Sequence, residues 1–260
     1  TALLIAGCSV DSSGSAPSSQ SQKSISIAFQ ARSAKILYMQ NCATCHGLEG
    51  KGDGPASVYL FPKPRDYTSG KFKIRTTPAG QLPTDEDLFR VITNGMPGSA
   101  MPSFAHLSES ERRQLVNYVK ELAVQEFEMD DGDFVKEVED AGALVKKIKR
   151  GGKDFMLVNL FKWRRPSRVI TPGAAPQLTK ALLEKGREKY YSSQVACFRC
   201  HGPTGEGDGP SAADLRDDAG FPIRPANFTR GIFKGGGKVE DIYMRFTTGL
   251  NGTPMPAYET

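Results

Sequence analysis

The sequence has no long apolar run. Its longest, Ala2 to Ala6 and Phe155 to Leu160 broken by Asn159, fall far short of the roughly 20 residues that cross a bilayer. A transmembrane helix is therefore not expected within these residues. Charge of one sign is also lacking: the net charge is +5 over 260 residues, with no basic stripe interleaved with aromatics, so nucleic acid is not an expected partner. Glycine and proline, 27 and 17 residues, make up about a sixth of the chain, which means many loops but not the composition of disorder. At roughly 150 residues per domain, the length predicts about two domains and argues against a large enzyme barrel.

Cysteine carries more information. Of five, four fall in two identical units, Cys42-Ala-Thr-Cys45-His46 and Cys197-Phe-Arg-Cys200-His201, which leaves Cys8 alone. Cys8 follows an apolar run that ends in small residues, and Ile5-Ala6-Gly7-Cys8 resembles the lipobox of a bacterial lipoprotein signal. That resemblance implies removal of the run and lipidation of Cys8; the other reading is a small-residue turn with a free thiol. Ser9 to Gln22 is almost all Ser, Gln, Gly, Ala, Asp and Pro, a composition suited to a flexible tether. Residues 1–24 are thus expected to be a signal remnant and tether.

Helical periodicity begins after the tether. Ile27 to Gln40 places Ile27, Ala31, Ala34, Leu37 and Tyr38 near one face just before the first Cys pair. Thr84 to Thr93 and Ser108 to Val124 open with Thr84-x-x-Asp87 and Ser108-x-x-Glu111, the second a capping box. Leu178 to Gln194 and Val239 to Thr247 repeat the scheme around the second Cys pair. Gly50, Gly52, Asp53, Gly54 and Pro55 follow Cys42 at the offsets by which Gly205, Gly207, Asp208, Gly209 and Pro210 follow Cys197. Further on, Pro64, Asp66-Tyr67-Thr68, Gly70 and Phe72-Lys73 answer to Pro225, Asn227-Phe228-Thr229, Gly231 and Phe233-Lys234. Gly95 and Met101-Pro102 answer to Gly249 and Met255-Pro256. Two copies of one domain, residues 25–124 and 177–260, is the economical reading. Between them, residues 125–176 form an insertion, acid-rich first (Glu126 to Asp140) and basic afterwards (Lys146 to Arg168), either a solvated connection or a docking element. A strand from Phe155 to Phe161 is the one β element expected there.

Cys-x-x-Cys-His sets two thiols one helical turn apart, so both can be tied to the vinyl groups of a haem while the adjacent imidazole reaches the iron. A zinc site would have to unite pairs 155 residues apart in separate copies, and a thioredoxin-type dithiol would need a βαβ context. The only histidine outside the motifs is His106, so two bis-His irons are arithmetically excluded. Met101 and Met255, each six residues after an aligned glycine and followed by proline, are the candidates for the second axial position. A thioether is a soft neutral ligand that raises a haem potential. Met96 is a local rival, but its counterpart is Leu250.

Together these motifs resemble the class I cytochromes c in their diheme form, over nearly all of Ile27 to Thr260 except the insertion. The resemblance implies an all-α fold of two tandem cytochrome c-like domains with long loops, joined by the charged insertion. It implies two c-type haems held by Cys42, Cys45, Cys197 and Cys200, with His46, Met101, His201 and Met255 as iron ligands. In that family a loop proline gives its carbonyl to the proximal imidazole, a role that maps to Pro55 and Pro210; the alternative is that both simply make turns. The implied activity is electron transfer on the periplasmic side of a bacterial membrane, without catalytic residues or a small-molecule substrate. Redox proteins, including a membrane oxidoreductase complex, are the implied partners. A diheme peroxidase with one open haem is the alternative. The first copy has a helix of about 17 residues after its Met loop, whereas the second stops at Thr260, so the sequence is expected to continue, or a partner to complete the domain.

Overall fold

The computed structural model describes residues 33–129, 136, 138, 144–164 and 168–258. The lipobox, the tether and the expected helix start at Ile27 lie outside the described residues.

The first half is built on three helices and a short one. α1 (Ala34–Asn41) begins where the Ser33 side chain accepts the Ile36 N–H. α2 (Ala43–His46) carries the first motif and closes at Gly47. α3 (Asp85–Asn94) and α4 (Glu109–Leu122) both open with complete capping boxes, Thr84 with Asp87 and Ser108 with Glu111. Each box satisfies two donors that the first turn leaves without intrahelical partners. The apolar faces of these helices then close one core, in which Leu37, Tyr38, Leu88, Ile92, Leu115, Val116 and Val119 are buried with Tyr67, Phe72 and Phe104.

The insertion corrects the all-α expectation. It holds a three-stranded antiparallel sheet of β1 (Val124–Glu128), β2 (Val145–Arg150) and β3 (Lys153–Asn159), with β3 central. Phe127 and Lys147 both face Met156 across the ladder, and Gln125 and Val145 both face Val158. Met156 and Val158 point to one side, as the two-residue period of a strand requires, and are buried with Val138. β2 escaped the sequence reading because its apolar residues, Val145 and Ile148, are three apart and its other four positions are basic. The acidic and basic runs pair with each other across the sheet: Glu126 with Arg150, Glu128 with Lys153, Asp154 with Lys149.

The expected strand from Phe155 ends at Asn159 and turns into α5 (Leu160–Trp163). Asn159 caps α5 by accepting the Lys162 N–H and also donates to the Lys120 carbonyl at the end of α4. Leu160, fully buried, joins the core of the first half. This stretch is therefore a structural part of the first half as well as a connection.

The second half consists of α6 (Lys180–Tyr191), α7 (Phe198–His201) and α8 (Val239–Thr248). It meets the first through charged contacts. Fully buried Arg75 donates to the carbonyls of Pro78 and Phe72 and, across the junction, to that of Thr248. Arg245 donates back to the Arg75 carbonyl, Arg90 lies 3.4 Å from Asp241, and Lys71 pairs with Asp218. The described residues belong to a single compact unit.

Candidate functional site

Each half places its Cys-x-x-Cys-His motif at the wall of an apolar cavity. The first, about 1230 Å³ of open space, is lined by Cys42, Cys45, His46, Tyr67 and Met101 among others. The second, about 1630 Å³, is lined by Cys197, Cys200, His201, Phe228 and Met255. Both are open to solvent and lined mainly by apolar side chains with a few polar groups, as cofactor sites are.

The histidines are fixed in the same way in both halves. His46 Nδ1 lies 3.0 Å from the Arg65 carbonyl oxygen and His201 Nδ1 lies 3.0 Å from that of Ala226. A carbonyl can only accept, so Nδ1 carries the proton and Nε2 keeps its lone pair, the state an iron ligand requires. The Tyr67 ring stacks on His46 at 4.7 Å, and the Phe228 ring on His201 at 4.3 Å. Burial pushes both imidazoles below their ordinary pKa, although the carbonyl bond pulls the other way. Burial, followed by the neighbouring Cys45, pushes the Cys42 thiol up to about 12.

Backbone geometry explains the glycines of the motif. A Cβ on Gly52 would come 2.6 Å from the Pro64 carbonyl oxygen, and one on Gly207 would come 2.8 Å from that of Pro225. Only glycine lets the later loop press this close, and that loop carries the carbonyl that holds the imidazole. Asp66 and Asn227 shape it alike, each side chain accepting from the backbone N–H and hydroxyl of the threonine two residues on.

The methionine loops match as well. Met96 N–H donates to the Met101 carbonyl at 3.0 Å, and Leu250 N–H to that of Met255 at 3.1 Å. Gly95 and Gly249 end α3 and α8 with positive φ, and a Cβ on either would fall 2.6–2.7 Å from the backbone next to the methionine. Met101 and Met255 thus line the same cavities as the two motifs. Met96 lines the first cavity too.

Pro55 and Pro210 do not hold the imidazoles, contrary to the role mapped onto them. Both are exposed, in turns where the N–H groups of the residues on either side bond to the motif helix: Gly54 to Cys45 and Ala56 to Thr44, Gly209 to Cys200 and Ser211 to Arg199. The carbonyls that do the work belong to Arg65 and Ala226. Sequence reasoning missed them because a backbone carbonyl leaves no side-chain signature; the aligned Pro64 and Pro225 just before them were the signal.

His106 is exposed and lines neither cavity. Among the described residues no three His, Cys, Asp or Glu side chains gather as a metal cluster, and the four motif cysteines are free of disulfides. A zinc reading of the motifs therefore finds no support among the described residues. No helix among the described residues is long and apolar enough to cross a membrane.

Comparison with known proteins decides the family. The cytochrome c family matches residues 31–123. Cytochrome c-554(547) of Halothiobacillus neapolitanus is 34% identical over 94 residues, which span 35% of this chain and 96% of the relative. The chain belongs to the cytochrome c family. Among solved structures, a chain of the Kuenenia stuttgartiensis reducing HAO-like protein complex is similar with a TM-score of 0.71 and 39% identity, and 87% of each chain is covered.

Membership implies a covalently bound c-type haem, and the cytochrome's residues fit one. Paired thiols and an oriented imidazole stand beside an apolar cavity. The second cavity adds a further sign: Arg245, on its wall, has Nε and Nη1 buried without a partner. A buried guanidinium left with unmade hydrogen bonds is costly unless an anionic occupant supplies them, and a haem carries two carboxylates.

Proposed function

We propose that the protein is a two-haem electron carrier rather than an enzyme. Cys42 and Cys45 hold one c-type haem and Cys197 and Cys200 the other, with His46 and Met101, then His201 and Met255, as the residues that would hold iron. The observation that carries this reading is the double occurrence of one geometry: an imidazole fixed through Nδ1 and a methionine loop closed on itself, facing one cavity, in each half. A haem supplies a one-electron ferric/ferrous couple. The chain's own contribution is rigidity. Capped helices, close-packed glycines and stacked rings hold both side-chain ligands in place, so that little reorganisation accompanies each electron.

Residues 1–24 support a lipid anchor at Cys8 on the periplasmic face of a bacterial membrane, through the Ile5-Ala6-Gly7-Cys8 pattern. Cys8→Ser is expected to move the full-length protein from the detergent phase to the aqueous phase; an unchanged partition sinks the anchor. The likeness to a chain of a reducing HAO-like complex supports a place beside a redox partner.

The deciding experiment is haem per chain together with the optical spectrum of the ferrous protein before and after carbon monoxide. Two haems per chain and an unchanged spectrum are expected. One haem per chain removes the two-centre reading. Carbon monoxide binding to one of two haems would mean an open iron and favour a diheme peroxidase.

A further inference from the structure

The two cavities share walls. Lys73 and Lys234, equivalent residues of the repeat, each line both of them. Each follows the second aromatic of a stacked pair beneath its own histidine, Tyr67 with Phe72 and Phe228 with Phe233. Further cations line the same walls. Arg65 joins the wall of the first cavity, and Arg224 and Arg245 join that of the second. Arg65 also reaches across the junction, close enough that a Cβ on Gly252 would meet its Nη1 at 2.7 Å.

Neither lysine has a hydrogen-bond or ion-pair partner among the described residues. The acid whose charge Lys73 feels, Asp217, has its Oδ1 committed to the backbone N–H groups of Ala219 and Phe221. Burial holds the Lys73 ammonium down at about 8, with Arg65 and Lys234 adding repulsion, and burial also lowers Lys234. Half-buried like charges that have an acid nearby but no direct ion-pair partner are unfavourable, and they point to an anion that belongs between them.

We propose that Lys73 and Lys234 form one cationic seam that receives carboxylates of both haems, so that each lysine acts electrostatically on both redox centres. The inference rests on the two-haem reading above. These are positioning residues that touch no iron. A positive charge beside a haem favours its ferrous form, which carries one positive charge fewer. A lysine on both walls therefore raises both potentials, whereas one serving only its own half raises one.

The test is a spectroelectrochemical titration of the full-length holoprotein, with haem per chain measured on the same samples. Lys73→Gln and Lys234→Gln are each expected to lower both potentials severalfold in equilibrium constant. The double variant is expected to shift each by about tenfold, which is about 59 mV for a one-electron couple. Lys73→Arg, which keeps the charge, is expected to restore both. Lys71→Gln removes the same charge two residues away, from an exposed pair with Asp218, and is expected to move neither. Two haems per chain with only one potential moved, or none, overturns the shared seam and leaves the two-centre reading standing. One haem per chain in the unsubstituted protein overturns both.

Discussion

In the first half, α1 lies beneath α4, and Leu37 and Tyr38 are fully buried against Leu115, Val116 and Val119. In the second half, α6 buries no residue at all, although its tyrosine does the same work: Tyr38 OH donates to the carbonyl of Gly47, and Tyr190 OH to that of Gly202. Aligned on that bond, Leu37 answers to Lys189, an exposed cation. One half thus couples its motif to a packed core, whereas the other keeps the motif's local geometry without such a cover among the described residues. The local hydrogen bonds of the site and the hydrophobic support behind it are separable layers. The sharpest way to break the comparison is to remove support where it exists. Leu115→Ala should cost about 2–5 kcal/mol, as truncations in packed cores do. Lys189→Ala should stay within about 0.5 kcal/mol, as exposed positions do. Denaturant unfolding of both variants checks this, and equal losses would mean that α6 is covered in solution.

That layering also explains what the sequence made legible. Offsets, caps and repeat correspondences are local, and they located α3, α4, α6 and α8 to within a few residues, along with both motifs and both methionine loops. What it hid depends on contacts between distant segments. β2 is a strand because β3 offers it a partner and β1's acids and its own lysines sit on the same small sheet; its own pattern shows no two-residue period. The carbonyls of Arg65 and Ala226 sit 19 and 25 residues after their histidines, a difference in loop length that no fixed offset could catch. Lys73 and Lys234 were visible as aligned residues, but only the docking of the halves brings them to shared walls.

A smaller effect should come from the glycines beside the methionine loops. Gly95→Ala and Gly249→Ala each force a Cβ onto a left-handed backbone and into the chain next to the methionine, at a cost of about 1–3 kcal/mol. The halves should respond differently. After Met101 the chain is pinned by buried Phe104 and Leu107 and runs on into α4, whereas after Met255 the described anchor is Tyr258, whose N–H donates to Phe246 and whose OH donates to Val195. On the proposed ligation of two haems by Met101 and Met255, Gly249→Ala is therefore expected to admit carbon monoxide to a larger fraction of ferrous protein than Gly95→Ala. The reverse order would show that the methionine is held by its own loop and not by the anchoring residues beyond it.

The smallest effect separates burial from geometry at a single bond. Tyr38→Phe and Tyr190→Phe remove the same hydroxyl from the same partner, the carbonyl just after the histidine, at 2.8 and 2.6 Å. In the first half that carbonyl is left inside a core, and the loss should approach the upper end of the usual range for a hydrogen bond, about 1.5 kcal/mol. In the second half the bond is partly exposed, so water can replace the hydroxyl and the loss should fall to about 0.5 kcal/mol. Denaturation midpoints compared at constant slope measure the difference. Because neither substitution alters a ring that stacks on a histidine, the Nδ1 contacts to Arg65 and Ala226 should persist in both variants. Equal losses would place Tyr190 in surroundings as dry as those of Tyr38, and the two halves would then differ in sequence but not in the protection each gives its motif.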